Sequence, residues 1–399
     1  MMRPKQVIFL TVLLSSLVAC MTPADNPVPQ RDIAAASEAL KGATVLDVGL
    51  FQPTVTIGDN CTRRPLANDA ARIPASVATA VAAAASYSKE QKGVGLVILK
   101  DGKILHESYT GDASAATPTD SYSMHKSVLA LVYGIAIDEG IIGSLDDRAE
   151  RYITEWKNDP RGQITLKQLL NMESGLKLYD FSDPDGKSME LLLGADINAV
   201  ALDYPLADAP GAEFRYNNVN SQVAGIALER ALRKNGHDSY ADYLNQKLWC
   251  PLGNGKADLW LDREGGAPHY FSALFTTPHN WVRIGELIRN EGAFQGKQIV
   301  SARWIKAMVQ PSSTNPNYGL HTWLGSPYVP KRRYSQQNPL AVIHGAPFLA
   351  EDVVFFDGFG GQRVYVVPSR GLTIVRTGQV NFAYDDAKIV NLILDGLVR

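Results

Sequence analysis

Apolar positions along the chain alternate between strand-like and helix-like spacing. From Val94 to Tyr109 two β-rich stretches flank Asp101-Gly102, a pairing that predicts a hairpin, because glycine accepts the positive φ a type I′ turn demands. A second hairpin is predicted near the other end, where Gln362 to Val367 and Leu372 to Val375 are joined through Pro368-Ser369-Arg370-Gly371. Helical spacing closes the chain from Asp385 to Val398. Between the hairpins the pattern is mostly helical, broken by loops near Asp180 to Gly186 and Pro311 to Asn317. The expected fold is therefore α/β in content (α+β in arrangement): an antiparallel sheet built from both chain ends, with a helical domain inserted. The sheet part is expected over about 46–118 and 340–399, the helical part over 119–339.

The extreme N-terminus has a different pattern. Arg3 and Lys5 precede an apolar run from Val7 to Ala19, too short to cross a bilayer and shaped like the core of a signal peptide. Residues 1–19 are therefore expected to be removed on export. The run ends Leu17-Val18-Ala19-Cys20, which resembles a bacterial lipobox and implies lipidation of Cys20; the alternative is an ordinary signal peptide with an incidental cysteine. Residues 20–45, rich in Pro, Asp, Asn and Ala, read as a tether between that anchor and a folded body at 46–399. The expected location is the periplasmic side of a bacterial membrane as a lipoprotein, or a soluble exported form.

Composition narrows the functions. The 399 residues are 45% hydrophobic and 20% charged, the balance of a globular protein. Lys plus Arg number 39 against 41 Asp plus Glu, so no basic surplus exists to hold a nucleic acid. Three cysteines, Cys20, Cys61 and Cys250, exclude a Cys-rich zinc site and leave Cys61 and Cys250 as a pair that export would allow to oxidise. The chain has no Gly-x-Ser-x-Gly, no His-Glu-x-x-His, no phosphate-cradling loop and no Gly-x-Gly-x-x-Gly. His279 and His321 have no second His at ligand spacing and are read as packing or surface residues. No metal or organic cofactor is expected.

Ser123-Met124-His125-Lys126 stands out because a helix puts the serine and lysine on one face, one turn apart. Ser86 to Lys89 and Ser174 to Lys177 share the spacing, but neither opens a buried helix. Ser123 does: Val128 to Ile137 is almost wholly apolar and ends at Asp138-Glu139-Gly140. A lysine partly desolvated at a helix N-terminus loses its proton more readily than one in water, so Lys126 could accept the Ser123 proton. The bland reading is a helix cap beside a surface lysine. A second cluster, Tyr216-Asn217-Asn218, follows Pro210-Gly211 and precedes the helical pattern Val223 to Leu232. There Tyr216 could share a proton relay and Asn218 could hold the base or a substrate carbonyl.

These motifs, with Ile164-Thr165-Leu166-Lys167-Gln168-Leu169-Leu170-Asn171-Met172-Glu173-Ser174-Gly175-Leu176 between them and Gly358-Phe359-Gly360-Gly361-Gln362 after them, occur in an order that resembles the serine β-lactamase and penicillin-binding-protein superfamily, class C branch. The resemblance covers roughly residues 90–399. It implies a β-lactamase-like fold, Ser123 as nucleophile, Lys126 as general base, Tyr216 as second relay residue and Asn218 completing that motif. The superfamily's Lys-Thr-Gly or His-Thr-Gly is missing. Arg376-Thr377-Gly378 imitates it but falls after the closing hairpin strand. The matching segment, Asp357 to Gln362, is similar to the Gly-rich form of family esterases and 6-aminohexanoate-dimer hydrolases, which places the second oxyanion N–H at Phe359 beside Gly358, with Gln362 as the other candidate. Asp357 in place of a cation is expected to repel a substrate carboxylate. Tyr179, on a loop expected to line the pocket, is a candidate substrate contact. The expected activity is cleavage of a small-molecule ester or amide through a Ser123 acyl-enzyme. The alternatives are a D-alanyl-D-alanine carboxypeptidase or β-lactamase, and a lipoprotein that uses the domain only for binding.

Overall fold

A computed structural model describes residues 31–68, 74–179, 186–336 and 340–398. The signal segment, Cys20 and the loop interior at 180–185 lie outside them. The predicted first hairpin is formed by β2 (Gly93–Lys100) and β3 (Lys103–Tyr109), preceded by a short β1 (Ala67–Asn68). At its turn Asp101 and Gly102 both take positive φ, 49° and 78°, as a type I′ turn requires. The distal strands are β4 (Trp323–Leu324), β5 (Val354–Gly358), β6 (Gln362–Val367) and β7 (Leu372–Gly378). All seven join one sheet in the order β1-β3-β2-β7-β6-β5-β4. Every pairing is antiparallel except β1 with β3, which is parallel, so the sheet is mixed rather than purely antiparallel. The two chain ends meet where β7 pairs with β2, for example Ile374 opposite Ile98.

Helices cover both faces of the sheet. Leu96 and Ile98 of β2 join the apolar cluster of α2 (Ala75–Glu90) and the closing helix α6 (Lys388–Val398). The intervening Val97 and Leu99 join the cluster containing Trp281, Ile284 and Leu287 of α5 (Pro278–Arg289). Because successive side chains point to opposite faces and both faces are buried, the strand reads as a continuous apolar run rather than an alternation.

The division between sheet and helical parts is less clean than the pattern predicted. Strand β4 and helix α5, within 119–339, serve the sheet. Conversely, Thr54–Ile57, within 46–118, pairs with Ala257–Trp260, which pairs with Leu274–Phe275, in a separate antiparallel sheet. The expected tether is also shorter in the structure. Residues Ile33–Ala39 form α1, capped by Asp32, and Ile33, Ala36 and Leu40 pack with Trp260 and Phe275. Arg31 donates to the Leu193 carbonyl at 3.2 Å, so the chain is docked from Arg31 onward. Cys61 and Cys250 are bonded, with Cα atoms 4.8 Å apart; they close a separation of 189 residues and fasten the N-terminal segment to the helical part.

Candidate active site

Helix α3 (His125–Asp138) runs through the centre of the protein and is buried from His125 to Ala136. A helix apolar on all sides must sit inside a core, and Ser123 lies just outside its N-terminus in the single 3-10 turn Tyr122–Met124. The chain enters that turn under strain. Tyr122 has φ 45°, a region costly for a residue with a Cβ, and the Asp120 carboxylate accepts the Tyr122 N–H at 2.8 Å. Burial pushes the Asp120 carboxyl up to about 7, against that hydrogen bond.

Lys126 follows one turn later and is 1% exposed. Its Nζ lies 2.9 Å from Ser123 Oγ, 2.8 Å from Asn218 Oδ1 and 2.7 Å from the Phe271 carbonyl. Burial holds its pKa well below that of a lysine in water, partly offset by the Asp357 carboxylate. A neutral amine has two N–H donors and one lone pair. The Phe271 carbonyl and the Asn218 amide oxygen can only accept, so they take both donors, and the lone pair is left facing the Ser123 hydroxyl. This geometry lets Ser123 donate its proton to Lys126.

Tyr216 completes the cluster from the other side. Its ring centroid is 5.0 Å from Lys126 Nζ, and the Ser123 side chain is among the groups that act on its hydroxyl. Burial, reinforced by Asp357, raises its pKa well above the usual phenol value, so the phenol is neutral and can relay a proton but not act as a resident phenolate. The ring is caged by Tyr318, Trp323 and Tyr334 at 6.0, 5.7 and 5.1 Å. Its N–H donates to the Tyr334 carbonyl at 2.8 Å. Asn217 caps α4 (Asn218–Lys234), which sets Asn218 on the first turn facing Lys126. The 164–176 segment is the support beneath: Met172 accepts the Arg215 N–H at 2.8 Å and Glu173 accepts the Gly211 N–H at 2.7 Å. Glycine is required at 175, where φ is 77° and a Cβ would stand 2.2 Å from the Asp208 carbonyl.

The Gly-rich segment closes the site. At Gly358 a Cβ would stand 2.3 Å from the Ser121 carbonyl, so only glycine allows the end of β5 to reach the nucleophile turn. Phe359 follows, its ring 5.8 Å from that of Tyr122. Among the described residues no hydrogen bond uses the N–H of Phe359 or of Ser123. Gln362 is placed differently: it is buried in the β5–β6 pairing and its side chain bridges the Gly378 carbonyl and N–H at 2.7 and 2.8 Å. Phe359 therefore presents a donor, whereas Gln362 is a structural tie.

Two expectations about this region change. Arg376-Thr377-Gly378 does not follow the closing strand but forms the end of β7, separated from β5 by β6, and buried Arg376 donates to the Gly361 carbonyl at 2.8 Å. Nor is Asp357 a free negative charge. Its carboxylate is 2.7 Å from Arg332 and 2.5 Å from Arg363, and both arginines also pair with Asp386 at 2.9 and 2.7 Å. Two cations and two anions thus balance, and the repulsion expected of Asp357 is neutralised. Arg332 and the Phe271 carbonyl were not identified from the sequence, the first because its partners are distant in the chain and the second because any residue offers a carbonyl.

The remaining candidates lie elsewhere. Tyr179 packs edge-on to Tyr204 at 5.2 Å, and among the described residues no hydrogen bond or ring contact joins it to Ser123, Lys126 or Tyr216. His321 is buried against Ser221 Oγ at 3.0 Å and is a packing residue, as expected. His279 pairs with Glu107 at 2.7 Å. No group of His, Cys, Asp or Glu that could hold a metal ion occurs among the described residues.

Comparison with known proteins gives a consistent setting. The Beta-lactamase family model matches residues 77–392. Protein flp of Staphylococcus aureus is 27% identical over 172 residues, 40% of this chain and 33% of its own length, so the match spans about a third of that relative. Among solved structures, a Bacillus anthracis protein assigned as a 6-aminohexanoate-dimer hydrolase superposes with a TM-score of 0.67 at 17% identity, over 94% of this chain and 97% of that one. A family VIII carboxylesterase gives 0.60 at 16% identity, over 84% and 99%.

Proposed function

The chain belongs to the Beta-lactamase family, and from that premise we propose that it is a serine hydrolase cleaving carboxylic esters or small amides. The observation that carries this reading is the desolvated Lys126 amine, 2.9 Å from Ser123 Oγ, with both of its N–H groups held by acceptors. Ser123 attacks the substrate carbonyl as its proton passes to Lys126. Backbone N–H groups at Ser123 and Phe359 stabilise the oxyanion. Tyr216 delivers a proton to the departing alcohol or amine, an acyl-enzyme forms on Ser123, and water activated by the same pair releases the acid. The esterase and 6-aminohexanoate-dimer hydrolase assignments of the structural neighbours agree with this chemistry.

Replacing Ser123→Ala is expected to abolish turnover of a p-nitrophenyl short-chain ester and labelling by a fluorophosphonate probe, with circular dichroism unchanged. Retained turnover in the folded variant overturns the proposal. Efficient labelling by a fluorescent penicillin would favour the peptidase or β-lactamase reading, to which the pairing of Asp357 by Arg332 and Arg363 removes one electrostatic objection. The superfamily's third-motif Lys or His is replaced by Asp357, so that position offers no cation to receive the carboxylate of such a substrate, and this favours neutral esters and amides.

We further propose that the protein is exported and anchored through Cys20. The Cys61–Cys250 bond suits an oxidising compartment. Cys20→Ala is expected to move the protein from the membrane to the soluble fraction, and unchanged fractionation would count against a lipid anchor.

A further inference from the structure

Close to the Cys61–Cys250 bond lies a cavity of about 680 Å³ lined by none of the groups assigned to the reaction. Its wall carries four cations, Arg63, Arg64, Lys256 and Arg283, against one carboxylate, Asp258, in a chain whose formal charge is −2. Lys256 and Asp258 pair with each other at 3.5 Å, which leaves three guanidinium groups. Arg64 donates to the neutral Gln295 amide at 3.0 Å. Arg63 has no ion-pair partner among the described residues. Arg283 is 6% exposed and donates to main-chain carbonyls, those of His279 at 3.0 Å and Arg64 at 2.5 Å. Among the described residues its Nε has no partner, and burial together with the neighbouring Arg63 lowers its pKa to about 10. Burying a guanidinium beside another cation without a carboxylate is costly, and an anion bound between them would offset that cost.

The cluster is held rather than fortuitous. The disulfide fixes the segment carrying Arg63 and Arg64 against the turn after Cys250. The two meet so closely that a Cβ on Gly253 would stand 2.8 Å from Arg64 Cγ and one on Gly255 2.9 Å from Arg63 Nε. The lining also includes the apolar residues Ala115, Ala116, Pro118 and Phe275. We propose that this cavity binds a small organic anion, its carboxylate or phosphate oxygens held by Arg63 and Arg283 and its apolar body laid against Phe275 and Pro118. Planar guanidinium forks suit either oxyanion.

Calorimetric titration of the disulfide-intact protein with benzoate and with phenyl phosphate tests this. At least one probe is expected to bind saturably, more weakly as salt is raised to about 0.5 M. In the Arg63→Ala/Arg64→Ala double variant affinity should fall roughly tenfold or more, a loss of about 1.4 kcal/mol. Ester turnover by that variant should equal wild type, since neither arginine touches the Ser123 cluster. The stronger probe identifies carboxylate or phosphate as the preferred group. Undiminished binding in the double variant, or no saturable binding of either probe up to about 10 mM, overturns the proposal.

Discussion

Lys126 has to bury an amine without leaving it charged, and its three partners show how that is arranged. Two acceptors that never donate, Asn218 Oδ1 and the Phe271 carbonyl, would also tolerate an ammonium, but among the described residues no carboxylate pairs with Nζ, and desolvation dominates. The catalytic form is the neutral amine, so activity is absent where Lys126 is protonated and rises with pH through a value well below 10.5. Tyr216, whose pKa moves the other way, stays a neutral phenol and adds no falling limb on the alkaline side of that rise. A pH profile of kcat/KM for ester hydrolysis checks this; a rise only near the pKa of free lysine would contradict a desolvated base. Lys126→Met, which keeps the apolar stem, should lower kcat by about 10²–10⁴-fold with KM little changed. The Ser-x-x-Lys pair was legible in the sequence because it is local and opens an apolar run. Its third partner, Phe271, was not, because a main-chain oxygen leaves no mark in the side-chain pattern.

Helix α4 carries Asn218 to the amine, and its position depends on how closely it approaches the segment bearing Phe271. At Gly225 a Cβ would stand 2.1 Å from the Tyr270 ring. Alanine in a helix normally gains about 1 kcal/mol over glycine, whereas forcing a methyl into a packed ring costs about 1–3 kcal/mol. The clash should win, so Gly225→Ala is expected to destabilise the protein in denaturant titration. Tyr270 precedes Phe271, and its displacement should also reduce turnover in the folded variant; a stabilised, fully active Gly225→Ala would show that this contact relaxes freely. Elements of this kind explain what the pattern revealed and what it hid. The hairpins at 93–109 and 362–378 were visible because turn residues and β-rich runs are contiguous. Strand β4, two residues long, and the exchange of Thr54–Ile57 to a second sheet depend on distant partners, so neither could be read locally. The predicted tether was misjudged because α1 is stabilised by Trp260 and Phe275, more than two hundred residues away.

The same dependence on remote partners reaches its greatest extent in the buried quartet of Arg332, Asp357, Arg363 and Asp386, each at most 4% exposed in its side chain. It joins the end of β5, strand β6, the start of the closing helical region and an arm formed by the short strand Lys331–Arg333, which leads into Tyr334, whose carbonyl holds Tyr216. Removing one cation from such a network leaves a buried carboxylate unbalanced, at a cost of about 3–5 kcal/mol. The Asp386 carboxyl is held below its ordinary value; burial opposes the shift but is overcome by Arg363 and Arg332. Its unfolded form binds the proton first, so the stability it contributes is complete above about 3.9 and is lost as pH falls through the lower folded value. In Arg332→Met that folded value rises, and acid unfolding followed by circular dichroism should therefore begin at higher pH than in the wild type. Turnover at neutral pH should fall as well, because the arm bearing Tyr334 loses its anchor to β5. Coincident acid transitions with full activity would mean that the edge-on contact of Trp323 with Tyr334 and the pairing of Lys331–Arg333 with Ala341–Ile343 suffice to hold the arm, and that the ion network is dispensable for the position of Tyr216.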